Sequence, residues 1–120
     1  MKKFALVLGA SGAIGSAICR ELAENGWSLY LQYNHHSEVV QSLLEEMMQS
    51  YPEQEFMIIQ ADLTSESAAT TIVQSVFSLE AIVIASGQAL YKLVEDTTVK
   101  EMTELWKVHV QTPIQIIGML

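Results

Sequence analysis

Three glycines near the start of the chain, Gly9, Gly12 and Gly15, have the spacing that most directly suggests chemistry. They follow an apolar run, Phe4 to Leu8, that reads as a buried strand, and they precede an amphipathic segment that reads as a helix. In the order strand, glycine turn, helix, such a cluster is a candidate site for the pyrophosphate of a dinucleotide. Gly9 permits the tight turn out of the strand. Gly12 and Gly15 lack a Cβ, so a phosphate can approach the backbone and the helix can pack close to the strand. The helix start then aims free N–H groups and a partial positive charge at the phosphates. A G-x-G-x-x-G fingerprint would need glycines at 9, 11 and 14, where the chain has Gly9, Ser11 and Ile14, so that pattern is not met. A glycine turn without a ligand is the plain alternative. The adjacent His35 and His36 lack a third ligand at workable spacing, and no metal centre is expected.

The elements that must position these residues alternate along the chain. A first helix runs from Ala13 to Asn25, with Ile14, Ala17, Ile18 and Leu22 as its apolar stripe and Gly26 as its stop. Trp27 to Tyr33 reads as a second strand. After the polar Asn34-His35-His36-Ser37, with Ser37 as N-cap, a second helix covers Glu38 to Gln49. Its paired Val39/Val40, Leu43/Leu44 and Met47/Met48 predict one broad buried face. Glu55 to Gln60 is the third strand. A third helix over Glu66 to Phe77 is capped by Ser65, and Ala81 to Ala85 is a fourth strand, apolar throughout as though both sheet faces were covered. A loop reaches Thr97, and a last helix starts near Thr98 and is interrupted around Pro113. This alternation predicts an α/β fold, a doubly wound parallel sheet of Rossmann type with right-handed crossovers.

Residues 1–120 suit one domain, and half of them are hydrophobic, enough for a substantial core. The net charge of −8 argues against nucleic acid and anionic membranes as partners, since both select basic surfaces. No apolar run reaches the about 20 residues that span a bilayer. The single cysteine, Cys19, cannot form an internal disulfide, so a cytoplasmic protein is expected. The apolar close, Ile114 to Leu120, carries no cap or stop signal, and the chain is expected to be the first half of something longer.

These landmarks resemble the short-chain dehydrogenase/reductase family. The glycine turn matches T-G-x-x-x-G-x-G at Gly9 and Gly15, with Leu8 in place of Thr and Ala13 in place of the middle Gly. Asp62-Leu63 follows strand three, and Ser86-Gly87 ends strand four. The 3-oxoacyl-carrier-protein reductase type is the most similar subgroup. Within it, Ala85-Ser-Gly-Gln88 and Trp106-Lys-Val-His-Val-Gln-Thr-Pro113 resemble the bacillar elongation factor P 5-aminopentanone reductases. The resemblance spans the first half of a typical member. It implies a cofactor site made of Gly9, Ser11, Gly12, Ile14, Gly15, Asn34, His35, Ser37, Asp62, Leu63, Ser86 and Gly87. Asp62 would accept from the adenine amino group, with the Leu63 backbone beside it, and Gly87 would let the backbone pass close to the ribose. The family's two Asn before this Gly are Ile84 and Ala85 here. No carboxylate follows strand two until Glu38, which favours NADP(H) over NAD(H).

His109 stands at the family's active-site Asn, whose carbonyl holds a water leading to the catalytic Lys. In a regular helix that carbonyl would accept from residue 113, and Pro113 has no N–H, so a free His109 carbonyl is expected. The family's catalytic Tyr-x-x-x-Lys is missing. Tyr30, Tyr33, Tyr51 and Tyr91 are followed four residues later by Asn34, Ser37, Glu55 and Glu95. The expectation is the cofactor-binding part of an NADP(H)-dependent reductase of a small carbonyl compound, free or carrier- or protein-attached, in a homo-oligomer joined through the last helix. Two alternatives stay open: a non-catalytic dinucleotide-binding sensor module of the same fold, and a doubly wound domain that holds only a phosphate.

Overall fold

The computed structural model describes residues 2–87 and 94–120. Four parallel strands, β1 (Lys3–Leu8), β2 (Trp27–Tyr33), β3 (Phe56–Gln60) and β4 (Ala81–Ile84), form one sheet in the order β3-β2-β1-β4. Leu6 is in register with Tyr30 on one side and Ile82 on the other, and Tyr30 with Met57. The helices α1 (Ala13–Glu24), α2 (Ser37–Ser50) and α3 (Ala68–Gln74) fill the crossovers. Beyond a 3-10 turn at Val94–Asp96 come α4 (Val99–Trp106), a π-helical turn (Lys107–Gln111) and α5 (Thr112–Met119). Residues 88–93, which include Gln88 and part of the segment expected as a loop, lie outside the described residues.

The period-2 alternation of the strands divides the core in two. Phe4, Leu6, Leu8 and Tyr30 face α3 and α5, meeting Ala68, Ala69, Ile72 and Ile116. Ala5, Val7, Leu29 and Leu31 face α1 and α2, meeting Cys19, Ala23, Val40, Leu43 and Met47. Each fully buried leucine contributes about 1.5–3 kcal/mol relative to exposure. A doubly covered central strand therefore tolerates apolar residues on both faces, as β1 has.

Several sequence expectations need correction. The buried face of α1 is Gly15, Cys19 and Ala23, one residue away from the expected stripe. Ile14 is 72% exposed. Close approach of helix to sheet selects small residues at i, i+4 spacing, and the larger Ile18 and Leu22 are left at the margins, half-buried. In α2 only Val40, Leu43 and Met47 are buried, while Val39 and Met48 are exposed. Ser37 does not cap this helix. It is the first helical residue, and His36 precedes it in the left-handed conformation (φ 61°, ψ 51°) without a side-chain cap bond. Ser65 does not cap α3 either; its hydroxyl pairs with Ser67 across a turn. The helix ends at Gln74, leaving Phe77 outside it and 93% exposed. Among the described residues β4 is the outermost strand, with Ala81 to Val83 half-buried and Ile84 exposed.

The last helix does begin after Thr98. The Thr98 hydroxyl accepts from the Glu101 N–H and the Glu101 carboxylate accepts from the Thr98 N–H, a reciprocal cap. The interruption falls just before Pro113, where the Thr112 N–H bonds to the Lys107 carbonyl five residues back. Among the described residues no helix is long and apolar enough to cross a membrane.

Candidate functional site

The carboxyl ends of parallel strands leave a crevice where the connections turn to opposite faces of the sheet, and ligands of such folds bind there. Here that end holds a cavity of about 250 Å³. Its wall includes Gly9, Ser11 and Gly12 after β1, Gln32 to His36 at and after β2, Asp62-Leu63 after β3, Ala85 to Gly87 after β4, and Val108. Of the residues expected at a cofactor, Gly9, Ser11, Gly12, Asn34, His35, Asp62, Leu63, Ser86 and Gly87 are brought together on it. Ile14, Gly15, Ser37 and His109 are not on its wall.

The three glycines play different parts. Gly9 adopts φ +83°, and a Cβ there would sit 2.6 Å from the Ser86 Cα, so the turn is pressed against the end of β4. A Cβ on Gly15 would sit 2.0 Å from the Gly9 carbonyl oxygen. Both positions are glycine because the protein itself fills the space. Gly12 differs: its backbone is extended (φ −77°, ψ 165°), and a Cβ would meet only the Gly9 oxygen at an ordinary 3.6 Å. It is the N-cap of α1, exposed on the cavity wall, and the first turn of α1 carries no acidic residue.

Two polar groups tie the cavity floor together, and sequence reasoning singled out neither. Gln32 is 2% exposed. Its Oε1 accepts from the Gly9 N–H (2.8 Å) and its Nε2 donates to the Ala61 carbonyl (2.7 Å). Thr112, also buried, donates its hydroxyl to the Leu63 carbonyl (2.7 Å). The available signal for Gln32 was the one amide side chain in a largely apolar strand. Its partners are backbone groups distant in sequence.

Around the rim, Asp62 opens a turn in which its Oδ1 accepts from both the hydroxyl (2.7 Å) and the N–H (2.9 Å) of Thr64. The Thr64 hydroxyl, then its N–H, hold the Asp62 carboxyl below its ordinary pKa; partial burial opposes this, and His35 adds a lesser pull downward. Asn34 accepts from Gln60 Nε2 (3.1 Å) and lies 3.3 Å from His35 Nε2. The His36 imidazole is 3.7 Å from the Glu38 carboxylate. Ser86 Oγ is buried and has no hydrogen-bond partner among the described residues. The exposed His109 puts its ring against Gly87, where a Cβ would sit 2.6 Å from Cε1. Cys19 lies away from the cavity in α1, and burial pushes its thiol up to about 12.

Residues 3–120 match the family model described as short chain dehydrogenase. The chain is 33% identical over 117 residues to the uncharacterized oxidoreductase YmfI of Bacillus subtilis, covering 97% of this chain and 48% of that protein. It is 33% identical over 111 residues to hydroxynaphthalene reductase arp2 of Aspergillus fumigatus, covering 89% and 40%. The chain thus spans about half the length, or less, of these curated relatives. Among solved structures, a blue fluorescent protein from a metagenomic library, in complex with NADPH, superposes with a TM-score of 0.89 at 24% identity, over 97% of this chain and 49% of that one. The L-sorbose reductase of Gluconobacter frateurii, complexed with NADPH and L-sorbose, gives 0.89 at 16% identity, over 98% and 45%. At these identities the likeness to the two structures is one of fold.

Proposed function

The chain belongs to the short-chain dehydrogenase family, and from that premise we propose that it is the cofactor-binding part of an NADP(H)-dependent carbonyl reductase. Gly12 carries the reading. No protein atom requires glycine there, yet the residue lies bare on the cavity at the start of α1. That is the place where a pyrophosphate would press against the backbone and meet the free N–H groups of the first helical turn. Asp62 and Leu63 would take the adenine side, and Gly87 the ribose. His35, His36 and Asn34 would take the 2′-phosphate, since no carboxylate follows β2 until Glu38. When bound, the cofactor supplies hydride to a ketone carbon.

This chain's residues would bind and orient the cofactor. The hydroxyl of Tyr30 is engaged inside the fold, accepting from the Phe77 N–H (3.1 Å), and none of the four tyrosines has Lys four residues on. Proton donation to the substrate oxygen is therefore assigned to a Tyr outside residues 1–120. His109, at the family's active-site Asn position, would stand beside the nicotinamide end, with its ring against Gly87. The substrate is a 3-oxoacyl-type or related ketone, free or carried on a protein; the stretch Trp106 to Pro113 supports this by its resemblance to the bacillar reductases. The exposed Val99, Met102, Trp106, Ile114 and Ile117 support a homo-oligomer joined through α4 and α5, and the lone buried Cys19 supports a cytoplasmic setting.

The test is a binding titration with NADPH and NADH on the natural protein and on Gly12→Asp. Asp is a good N-cap and complements the helix dipole, so stability should hold or rise by up to about 1 kcal/mol. The same carboxylate repels phosphate, so NADPH should bind at least about tenfold more weakly. Tighter binding of NADPH than of NADH is expected in the parent. Unchanged NADPH affinity in a folded Gly12→Asp variant would remove the reading.

A further inference from the structure

We propose that Gln32 is a positioning residue of this site: its side-chain amide sets the spacing between the glycine turn and the adenine-side loop. The proposal rests on the dinucleotide reading. Gln32 sits on the Tyr30 face of β2, at the carboxyl end of the strand and on the cavity wall. Its two bonds reach in opposite directions along the sheet, to Gly9 after β1 and to Ala61 after β3. The orientation of the amide is dictated by its partners, because a backbone N–H can only donate and a carbonyl can only accept.

Backbone bonds run alongside it: the Ala10 N–H donates to the Gln32 carbonyl (2.8 Å), and the Ala61 N–H to the Tyr33 carbonyl (2.9 Å). Those bonds hold the strand ends together. The side chain does something further, since it fixes the Gly9 N–H inside the left-handed turn and the carbonyl immediately before Asp62. A dinucleotide gains from binding both ends at once only if the two subsites are held at the right separation. An apolar side chain at position 32 would leave the half-buried Gly9 N–H and the buried Ala61 carbonyl without this partner, and each would be free to turn elsewhere.

The experiment compares the natural protein with Gln32→Met, which keeps the length but has no donor for the Ala61 carbonyl and only a weakly accepting sulfur for the Gly9 N–H. NADPH, adenosine 2′-phosphate and inorganic pyrophosphate are the probes, with a thermal melt on each protein. The expected result is about tenfold weaker NADPH binding in the variant, because two subsites no longer held at a fixed separation must be ordered when the ligand binds. Each fragment should weaken by less than about threefold, because a fragment does not sense the spacing. A role in stability alone would lower the melting temperature without separating whole from parts. NADPH affinity within about threefold of the parent, or equal losses on whole and parts, would overturn the proposal. Failure of the natural protein to bind NADPH would instead overturn the dinucleotide reading and this proposal with it. If Gln32→Met does not fold, Gln32→Asn, too short to span both partners, replaces it. Unfolding of both assigns Gln32 to the fold and ends the proposal.

Discussion

At Gly15 one methyl group is enough to set the first helix against its own turn. Its Cβ would lie 2.0 Å from a backbone oxygen that has nowhere to go, so Gly15→Ala should cost about 3 kcal/mol, the upper range of overpacking. Gly12→Ala, a capping loss only, should cost about 1 kcal/mol. Urea unfolding of the two variants measures the contrast, and equal midpoints would contradict it. Asp62 gives a pH signature at the same scale. The Thr64 bonds favour the charged carboxylate, so its folded pKa lies below the unfolded one. The stability it adds is complete above the unfolded carboxylate range and is lost as pH falls through the folded value. In Thr64→Val the hydroxyl bond is gone, and the Asp62 carboxyl should titrate higher by NMR. An identical titration in both proteins would show that another group holds it down.

At the scale of elements, α5 is fastened to the loop after β3 by the Thr112 hydroxyl on the Leu63 carbonyl. Thr112→Val keeps the shape and strands that carbonyl, at a cost of about 1–3 kcal/mol, and thermal melts should register it; a shift near zero would mean water replaces the hydroxyl. The elements themselves were largely legible, because the apolar strand runs, the Gly26 stop and the helix start near Thr98 are local signals. The inward face of α1 was not legible. Periodicity weighs apolar bulk, and closeness to the sheet selected Gly15, Cys19 and Ala23 for smallness. Ser37 looked like a cap because of its residue type, but the left-handed His36 makes the turn and leaves Ser37 inside the helix. In the candidate site, the glycine turn could be read from order along the chain, and Asp62 was reached through the family resemblance. Gln32 could not, since its meaning lies in two backbone groups brought to it by the sheet.

For the molecule as a whole, Cys19 reports on integrity. It is buried between α1 and the sheet with its thiol pushed up to about 12, and a thiol reagent needs the thiolate. Labelling of the native protein should therefore be negligible and should rise with the same urea midpoint as loss of helix; labelling well below that midpoint would reveal an independently opening α1. The sheet order also carries a temporal consequence. β1 is made first, yet one of its two neighbours, β4, pairs Ala81 with Ala5 across most of the chain, and the Phe4 N–H meets Glu80 over a separation of 76 residues. Closing so long a loop is slow compared with joining β1, β2 and β3 in sequence. During synthesis the three-strand unit can assemble before β4 has left the ribosome, so the glycine turn waits, half built, for Ala85 and Ser86 to arrive against Gly9. Pulse-labelled hydrogen exchange should find the β1–β4 amides protected last, and their protection together with those of β2 would mean that the sheet forms in one step.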